Sequence, residues 1–286
     1  MLGPGPLSHS SACTLLGCEQ KYYYYKIEKV DPDPDYVKSD ALSIGSAVHH
    51  ILEHSKHQKP ASLSAAVLDC IKDPDIGLDP QHTNLVAAMV LKYSRLNKHM
   101  EPQLKVIEVE FRLETEEFIG FVDAILQEPN GKWWICDVKT WKSLMPSKLA
   151  EAPMDPQLNL YASHAPLIAK IFNLDPELFA GCRWRVVTKT TAKQKAGETD
   201  TAYIKRLADK NLKAFDIAIP KDIMKSEDRK KMHKELYWKS VRLKDGDETP
   251  VRNFNNCFSF FSPCEYWSKC HGGLFSDHTP VSVTSL

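Results

Sequence analysis

Two aspartates and a lysine stand at spacings that could hold a metal ion and stabilise a charged transition state. Asp123 and Asp137 each lie between two apolar residues, in runs that are typical of β-strands. Aspartate is disfavoured in strands, and burying an unpaired carboxylate is costly. A divalent cation would offset that cost, because magnesium binds one or two carboxylates together with water and substrate phosphate.

Lys139 follows Asp137 by two residues, so in a strand both side chains project from one face. This arrangement suits phosphodiester hydrolysis. The metal would polarise a phosphoryl oxygen and lower the pKa of water, and the ammonium group would stabilise developing charge or orient the attacking water. The alternative interpretation is a pair of exposed aspartates with a lysine salt bridge, and the surrounding hairpin argues against it.

The segments that carry these residues are predicted to form a three-stranded meander. Alternation of side-chain type predicts a strand over residues 104–113, and apolar runs predict two more over 118–126 and 133–140. Asn130-Gly131 between the last two is a strong hairpin signal. Glu108 and Glu110 project together from the first strand, but a solvated strand face explains them, so we rank them below the two aspartates and the lysine.

Helical periodicity predicts the elements around the meander. We expect helices over residues 43–56, 83–99, 155–172, 202–216 and 226–242, a further strand over 182–188, and loops over 69–80 and 189–201. This order predicts an α/β fold with a mixed central sheet flanked by helices.

Composition bounds the remaining possibilities. A chain of 286 residues with 43% hydrophobic residues can bury an ordinary core, and 26% charged residues is the usual value for soluble proteins. Basic and acidic residues balance at 37 each, so net charge does not indicate a nucleic-acid partner, and DNA binding would need a local basic patch.

The sequence offers no sign of a membrane or secretory segment. No apolar run approaches the ~20 residues of a transmembrane helix, and the first residues lack the features of a secretory signal. We therefore expect an intracellular protein (cytoplasmic, or in the host cytoplasm if viral) with no membrane partner. In that compartment the eight cysteines would be free thiols or metal ligands and not disulfides.

The order Gly120-x-x-Asp123, hairpin, Asp137-x-Lys139 resembles the PD-(D/E)XK nuclease superfamily, and within it the RecB-like exonucleases, including phage and CRISPR-associated members. Asp137 lacks the preceding Pro-Asp of the family name, as the RecB-like branch usually does. The resemblance covers residues 8–271.

Three further motifs carry the resemblance. Gly45-x-x-x-His49 is similar to an upstream helix motif whose histidine is a metal ligand in the family. Gln157-x-x-x-Tyr161 is similar to a downstream helix motif, and the segment around Cys18 is similar to the family's N-terminal Cys-x-x-Lys-Tyr.

The resemblance implies a restriction-endonuclease-like core and a Mg²⁺- or Mn²⁺-dependent deoxyribonuclease. Its metal ligands would be His49, Asp123 and Asp137, its catalytic residues Asp123, Asp137 and Lys139, and its substrate or active-site contacts Gln157 and Tyr161. It favours an exonuclease over an endonuclease, acting in DNA recombination, repair or replication. The alternatives are a catalytically inactive DNA-binding or recombination-accessory module and a metal-stapled structural protein.

Cys257, Cys264 and Cys270 lie close together near the end of the chain. Three such cysteines with one distant cysteine can hold a [4Fe–4S] cluster. Some RecB-like members combine one N-terminal with three C-terminal cysteines, and this resemblance makes Cys18 the fourth ligand, with Cys13 as the fallback.

Zn²⁺ is the alternative occupant, since four thiolates also bind zinc, and His271 could replace one of them. Ordinary free cysteines are the remaining possibility. Either metal would staple the two chain ends together. We accordingly expect a single domain over residues 1–286. It would have a flexible leader at 1–11, a core at about 40–190, and a helical region at 191–286 whose Cys-rich end packs with the N-terminal region.

Overall fold

The computed structural model describes residues 5–34, 36, 39–57, 63–259 and 262–271. The helices are α1 His9–Gly17, α2 Glu19–Tyr22, α3 Asp40–His57, α4 Leu63–Lys72, α5 Thr83–Met100, α6 Pro146–Glu151, α7 Pro156–Ala162, α8 Ala165–Phe172, α9 Asp200–Arg206, α10 Ser226–Asp245 and α11 Trp267–His271. The strands are β1 Leu7–Ser8, β2 Lys105–Glu114, β3 Phe118–Gln127, β4 Trp133–Trp141, β5 Phe179–Thr188, β6 Ala214–Pro220, β7 Phe258–Ser259 and β8 Ser262–Pro263. Within these ranges, no helix combines the length and the apolar character needed to cross a membrane.

Six strands form one mixed sheet in the order β1-β3-β4-β5-β6, with β2 paired to β3. β3 and β4 are antiparallel, β4 and β5 are parallel, and β5 and β6 are antiparallel. The predicted succession β2-β3-β4 and the predicted α/β class are therefore confirmed. Because β4 and β5 are parallel, their last residues, Trp141 and Thr188, come to the same edge of the sheet.

The chain divides into two compact units. The terminal unit comprises Met1–Val37, Glu114–Ile119 and Met232–Leu286, and the central unit comprises Lys38–Leu113 and Gly120–Lys231.

In the central unit, helices pack on both faces of the sheet. Residues of α3, α4 and α5 share an apolar cluster with Val138 of β4 and Val187 of β5, and residues from α9 pack against it. α7 contacts β4 and β5, and its Gln157 bonds to Lys139. Lys139 is adjacent in sequence to Val138, and neighbouring strand residues point to opposite faces, so α7 lies on the face opposite α3.

In the terminal unit, Leu7 and Ser8 pair in parallel with Phe118 and Ile119, and Leu7 packs with residues of α1, α2 and α10. The prediction of a flexible leader over residues 1–11 is thus wrong from Leu7 onward, because burial of Leu7 and Ala12 stabilises strand and helix there. Residues 1–4 of that leader lie outside the described residues, as do residues 272–286 of the predicted helical region.

Three other predicted elements differ from those of the structure. The predicted helix over residues 202–216 ends early, and β6 follows as an edge strand whose Phe215, Ile217 and Ile219 alternate along the chain. The predicted helix over 155–172 divides into α7 and α8 at Ser163–His164, because Pro166 has no N–H to continue the helical bonding. The predicted loop over 69–80 begins inside α4.

Candidate active site

The site is built where β3 and β4 separate. The register of the two strands runs from Gln127, opposite Trp133, to Ala124, opposite Cys136. One residue further on, Oδ2 of Asp123 accepts the N–H of Val138 at 2.5 Å. A carboxylate therefore takes the place of a backbone acceptor through one of its two oxygens.

α3 brings His49 to this fork. Nδ1 of His49 lies 3.6 Å from Oδ1 of Asp123. The close approach of the helix to β4 depends on Gly45, one turn before His49. A Cβ added at Gly45 would lie 3.2 Å from Oγ1 of Thr140. The spacing Gly45-x-x-x-His49 thus places a residue without a Cβ against β4, and it places the imidazole of His49 against Asp123.

Glu110 of β2 lies close to His49 and Asp123, although the sequence analysis ranked it below the two aspartates and the lysine. Single ligand atoms of His49, Glu110 and Asp123 all lie within 4.8 Å of one another, the only such group of three or more in the part of the chain that is described. Glu110 also has a φ of 49°, in the left-handed region that non-glycine residues rarely adopt. Strained backbone of this kind clusters at functional sites. Alternation along β2 pointed to Glu110 but gave no reason to prefer it to Glu108.

Asp137 and Lys139 form the second half of the site. Asp137 is only 2% exposed, and its Oδ2 lies 2.8 Å from Nζ of Lys139. The same ammonium group donates to Oε1 of Gln157 at 2.9 Å. Gln157 in turn donates from Nε2 to the hydroxyl of Tyr161 at 3.1 Å, and that hydroxyl donates to the backbone oxygen of Phe121 at 2.7 Å. The lysine is thus held on two sides, by a buried carboxylate and by a helix that is itself fixed to β3.

The cap of α7 sets the position of Gln157. The side chain of Asp155 accepts the N–H of Leu158 at 2.8 Å, which satisfies one of the free donors at the start of the helix. Pro156 occupies the first helical position, where its missing N–H costs nothing. Gln157 is consequently fixed in the first turn, beside β4.

The electrostatics of the site are those of crowded carboxylates. Burial, together with the charge of Asp123, raises the pKa of Glu110 to about 7. Burial lowers the pKa of His49, but the charge and hydrogen bond of Asp123 outweigh it and raise the pKa to about 9. Burial likewise raises the pKa of the Asp137 carboxyl, against the opposing charge of Lys139. A cation among these groups would stabilise the ionised carboxylates and the neutral imidazole, which are the forms that bind a metal.

The donor set fits a small divalent cation. Two carboxylates and one imidazole offer two hard oxygen ligands and one nitrogen ligand. Ligand atoms on opposite sides of a magnesium ion are about 4.2 Å apart, close to the 4.8 Å limit within which the three donors lie. His49 and Asp123, both predicted ligands, lie in this group. Asp137, the third predicted ligand, lies beside it in contact with Lys139.

The sequence of residues 6–271 matches the family described as the PD-(D/E)XK nuclease superfamily. The chain belongs to this superfamily. It is therefore a nuclease, and the divalent metal that PD-(D/E)XK nucleases use has a candidate site in the cluster of His49, Glu110 and Asp123.

One solved structure is similar to this chain at the level of the fold. A protein of Eubacterium rectale described as a "Putative exonuclease" is similar with a TM-score of 0.53 and 15% identity, over 87% of this chain and 85% of that one. A second structure, SSO0001, matches 87% of this chain and 90% of that one at 15% identity, with a TM-score of 0.26 that is too low to indicate a shared fold. The chain has no match among curated proteins.

The terminal unit of this PD-(D/E)XK protein gathers the four predicted cysteines. Cys18, Cys257, Cys264 and Cys270 line one recess, together with Lys21, Arg252, Tyr266 and other residues. Burial raises the pKa of the three C-terminal thiols, and the charge of Cys18 acts in the same direction on each. Cys13, the fallback ligand, is exposed on α1 and is absent from the lining. The side chain of His271 lies outside the described residues.

Proposed function

We propose that the protein is a Mg²⁺- or Mn²⁺-dependent deoxyribonuclease whose metal ligands include His49, Glu110 and Asp123. The observation that carries the proposal is the group of three donor atoms within 4.8 Å, placed in the fork from which Asp137 and Lys139 also project. A cluster of acids alone would be a weak argument. An imidazole, a strained glutamate and a buried aspartate–lysine pair at one place together support a catalytic arrangement.

Each residue has a distinct role in hydrolysis of a phosphodiester. The bound metal would act as a Lewis acid on the scissile phosphate. Lys139 would stabilise the negative charge that develops on the phosphoryl oxygens or orient the attacking water, because its ammonium group is fixed by Asp137 and Gln157 before substrate arrives. Asp137 would complete the metal site from the buried side. Gln157 and Tyr161, predicted as substrate or active-site contacts, would act chiefly by holding Lys139.

DNA as substrate is supported by the superfamily, and removal of nucleotides from an end is supported by the description of the similar Eubacterium rectale protein. The four motifs around the site further favour the RecB-like branch, with a role in recombination, repair or replication.

The test is degradation of end-labelled single- and double-stranded DNA with magnesium, beside closed circular DNA of the same sequence. Loss of linear DNA alone supports an exonuclease, and nicking of the circle supports an endonuclease. Retention of DNA without cleavage would overturn the catalytic proposal in favour of an inactive DNA-binding module.

His49 provides a second test of the same site. His49→Ala should lower activity most at low magnesium, and manganese should restore part of it, because manganese binds a nitrogen-containing site more tightly than magnesium does. An activity loss of the same size at every metal concentration would assign His49 a structural role.

We further propose that the terminal unit binds a [4Fe–4S] cluster through Cys18, Cys257, Cys264 and Cys270, with Zn²⁺ as the rival occupant. The recess that these four cysteines line together supports a shared metal group. Four thiolates suit a cluster of four irons, and they also suit a single zinc ion. Reduced thiols and such a cluster also fit the intracellular location that the sequence predicts.

Anaerobically purified protein tests the cluster directly. Brown protein with broad absorbance near ~400 nm and about four irons per chain is the expected result. Colourless protein with one zinc per chain would replace the cluster by zinc, and colourless, metal-free protein would remove the metal staple from the terminal unit.

A further inference from the structure

Residues 189–199 leave the sheet beside the candidate active site and carry a concentration of positive charge. β4 and β5 run in parallel with Lys139 opposite Val186 and Trp141 opposite Thr188. The N–H of Lys189 donates to the backbone oxygen of Trp141 at 2.6 Å. The segment therefore begins about 10 Å along the strand from the level of Lys139.

The segment also lies on the side of the sheet that holds the metal ligands. Nζ of Lys189 donates to the backbone oxygen of Ala41, near the start of α3. Ala192 packs against the apolar cluster that α3 shares with β4 and β5. Since α3 carries His49 eight residues after Ala41, the two points are separated by about 12 Å along the helix, or roughly three to four nucleotides of one B-form strand.

The backbone of the segment is held in one shape. Glu198 accepts from Nε of Arg206 at 2.7 Å and from the N–H of Lys195 at 3.0 Å. Arg206 also donates to the backbone oxygen of Lys193 at 3.0 Å, and the hydroxyl of Tyr203 donates to that of Ala192 at 2.6 Å. These bonds fix the positions from which Lys193 and Lys195 extend into solvent, where both residues are exposed.

The charge of the segment remains positive after its ion pairs are formed. Between Lys189 and Arg206 the chain has five basic and two acidic residues. Glu198 is neutralised by Arg206, and Asp200 accepts from the uncharged amides of Gln194 and Asn84. Lys193, Lys195 and Lys205 take part in none of the ion pairs found within the described ranges. The protein as a whole has a net charge of zero, so this is a local basic surface and not a general one.

We propose that Lys193 and Lys195 bind the phosphates of the DNA strand that enters the active site. The proposal rests on the nuclease function proposed above, and it assigns the local basic patch that a neutral nuclease needs. The contacts are to the sugar–phosphate backbone and not to bases, so they would position the strand with no preference for sequence.

The test compares Lys193→Gln/Lys195→Gln with a matched control, Lys170→Gln/Lys221→Gln. The control removes the same charge from two exposed lysines outside the segment, one on α8 and one after β6. Lys221 lies toward the opposite end of β5, since it follows Pro220, which pairs with Gly181 near the start of that strand. Binding of a fluorescein-labelled oligonucleotide would be measured by anisotropy in EDTA over a series of salt concentrations. Cleavage of the same oligonucleotide would be measured with magnesium.

Two lost phosphate contacts should reduce the slope of log K against log salt by about 1.4 to 1.8 and weaken binding roughly tenfold at low salt. Cleavage by the loop variant should lose kcat/KM mainly through KM, while the control matches wild type. An unchanged slope in the loop variant, or an equal loss in the control, overturns the phosphate track even if wild type cleaves DNA. Absence of cleavage by wild type, with the slope change present, would instead overturn the nuclease proposal and leave the track standing.

Discussion

Nζ of Lys139 lies 2.9 Å from Oε1 of Gln157, across the gap between β4 and α7. The contact links the candidate catalytic lysine to a helix that is capped by Asp155 and bonded to β3 through Tyr161. A lysine on a flexible four-carbon stem loses side-chain entropy when it is fixed. Because the contact with Gln157 fixes the lysine in the folded protein before substrate binds, we infer that Gln157 positions Lys139.

Removing this contact should lower the rate and leave substrate affinity nearly unchanged. In Gln157→Ala, we expect kcat to fall roughly ten- to a hundredfold with little change in KM, because a misplaced group costs about this much. Gln157→Glu keeps an acceptor oxygen at the same reach and should retain more activity. Steady-state kinetics on a labelled oligonucleotide measure both. If alanine and glutamate reduce kcat equally, Gln157 does not act through Lys139.

Asp137 should be essential for cleavage and dispensable for folding. Asp137→Asn keeps the volume of a buried side chain but removes its charge, so we expect the rate to fall by more than roughly a hundredfold. Asp216 of β6 offers the matched control, since its side chain is only 5% exposed and pairs with Arg183 and Arg185 of β5. Asp216→Asn should lower the melting temperature and spare kcat. Cleavage by Asp137→Asn at near the wild-type rate would show that the centre lies elsewhere.

The sequence pointed to the two aspartates and the lysine of the fork more clearly than it pointed to Glu110. Asp123, Asp137 and Lys139 stand out because carboxylates interrupt apolar runs, and the Asn130-Gly131 turn fixes the hairpin that brings them together. Glu110 sits in a strand where glutamates are ordinary, and what distinguishes it, a left-handed backbone and proximity to His49, arises only in three dimensions. The sequence did not predict the edge strand β6 for a related reason, since the pairing of β6 with β5 is decided by tertiary contacts and not by local propensity.

Glu110 and Glu108 provide a pair of variants that differ only in position. Glu110→Gln should weaken Mn²⁺ binding at least about tenfold, because it replaces a charged oxygen ligand by a neutral one. Glu108, two residues earlier on β2, is outside the group of three donors, so Glu108→Gln should bind Mn²⁺ as wild type does. Calorimetric titration of the protein with Mn²⁺ in the absence of DNA measures both. Equal affinities in the two variants would remove Glu110 from the ligand set.

Gly45 should control the position of His49 through Thr140. Gly45→Ala introduces a Cβ 3.2 Å from Oγ1 of Thr140, so α3 must shift or the threonine must rotate. Alanine also stabilises a helix by about 1 kcal/mol relative to glycine, which offsets much of the clash in the free energy of unfolding. We expect weaker Mn²⁺ binding with a nearly unchanged melting temperature. Gly45→Ala/Thr140→Ala removes the contacting oxygen and should recover the affinity, and failure to do so would argue against this contact as the cause.

The cysteine recess should stabilise the terminal unit without taking part in cleavage chemistry. About 240 residues of chain separate Cys18 from Cys257, so a metal group bound by both closes a long loop and restricts the unfolded chain. Cys264→Ser should therefore lose bound iron and lower the melting temperature and the yield of folded protein.

Cys13→Ser is the matched control, because Cys13 is exposed on α1 and absent from the recess, and it should retain wild-type iron and stability. Iron content by colorimetric assay and melting temperature by calorimetry, both without oxygen, give the comparison. Loss of iron in the Cys13 variant and not in a Cys18→Ser variant would make Cys13, and not Cys18, the fourth ligand. Full stability of metal-free Cys264→Ser would show that no metal staples the chain ends.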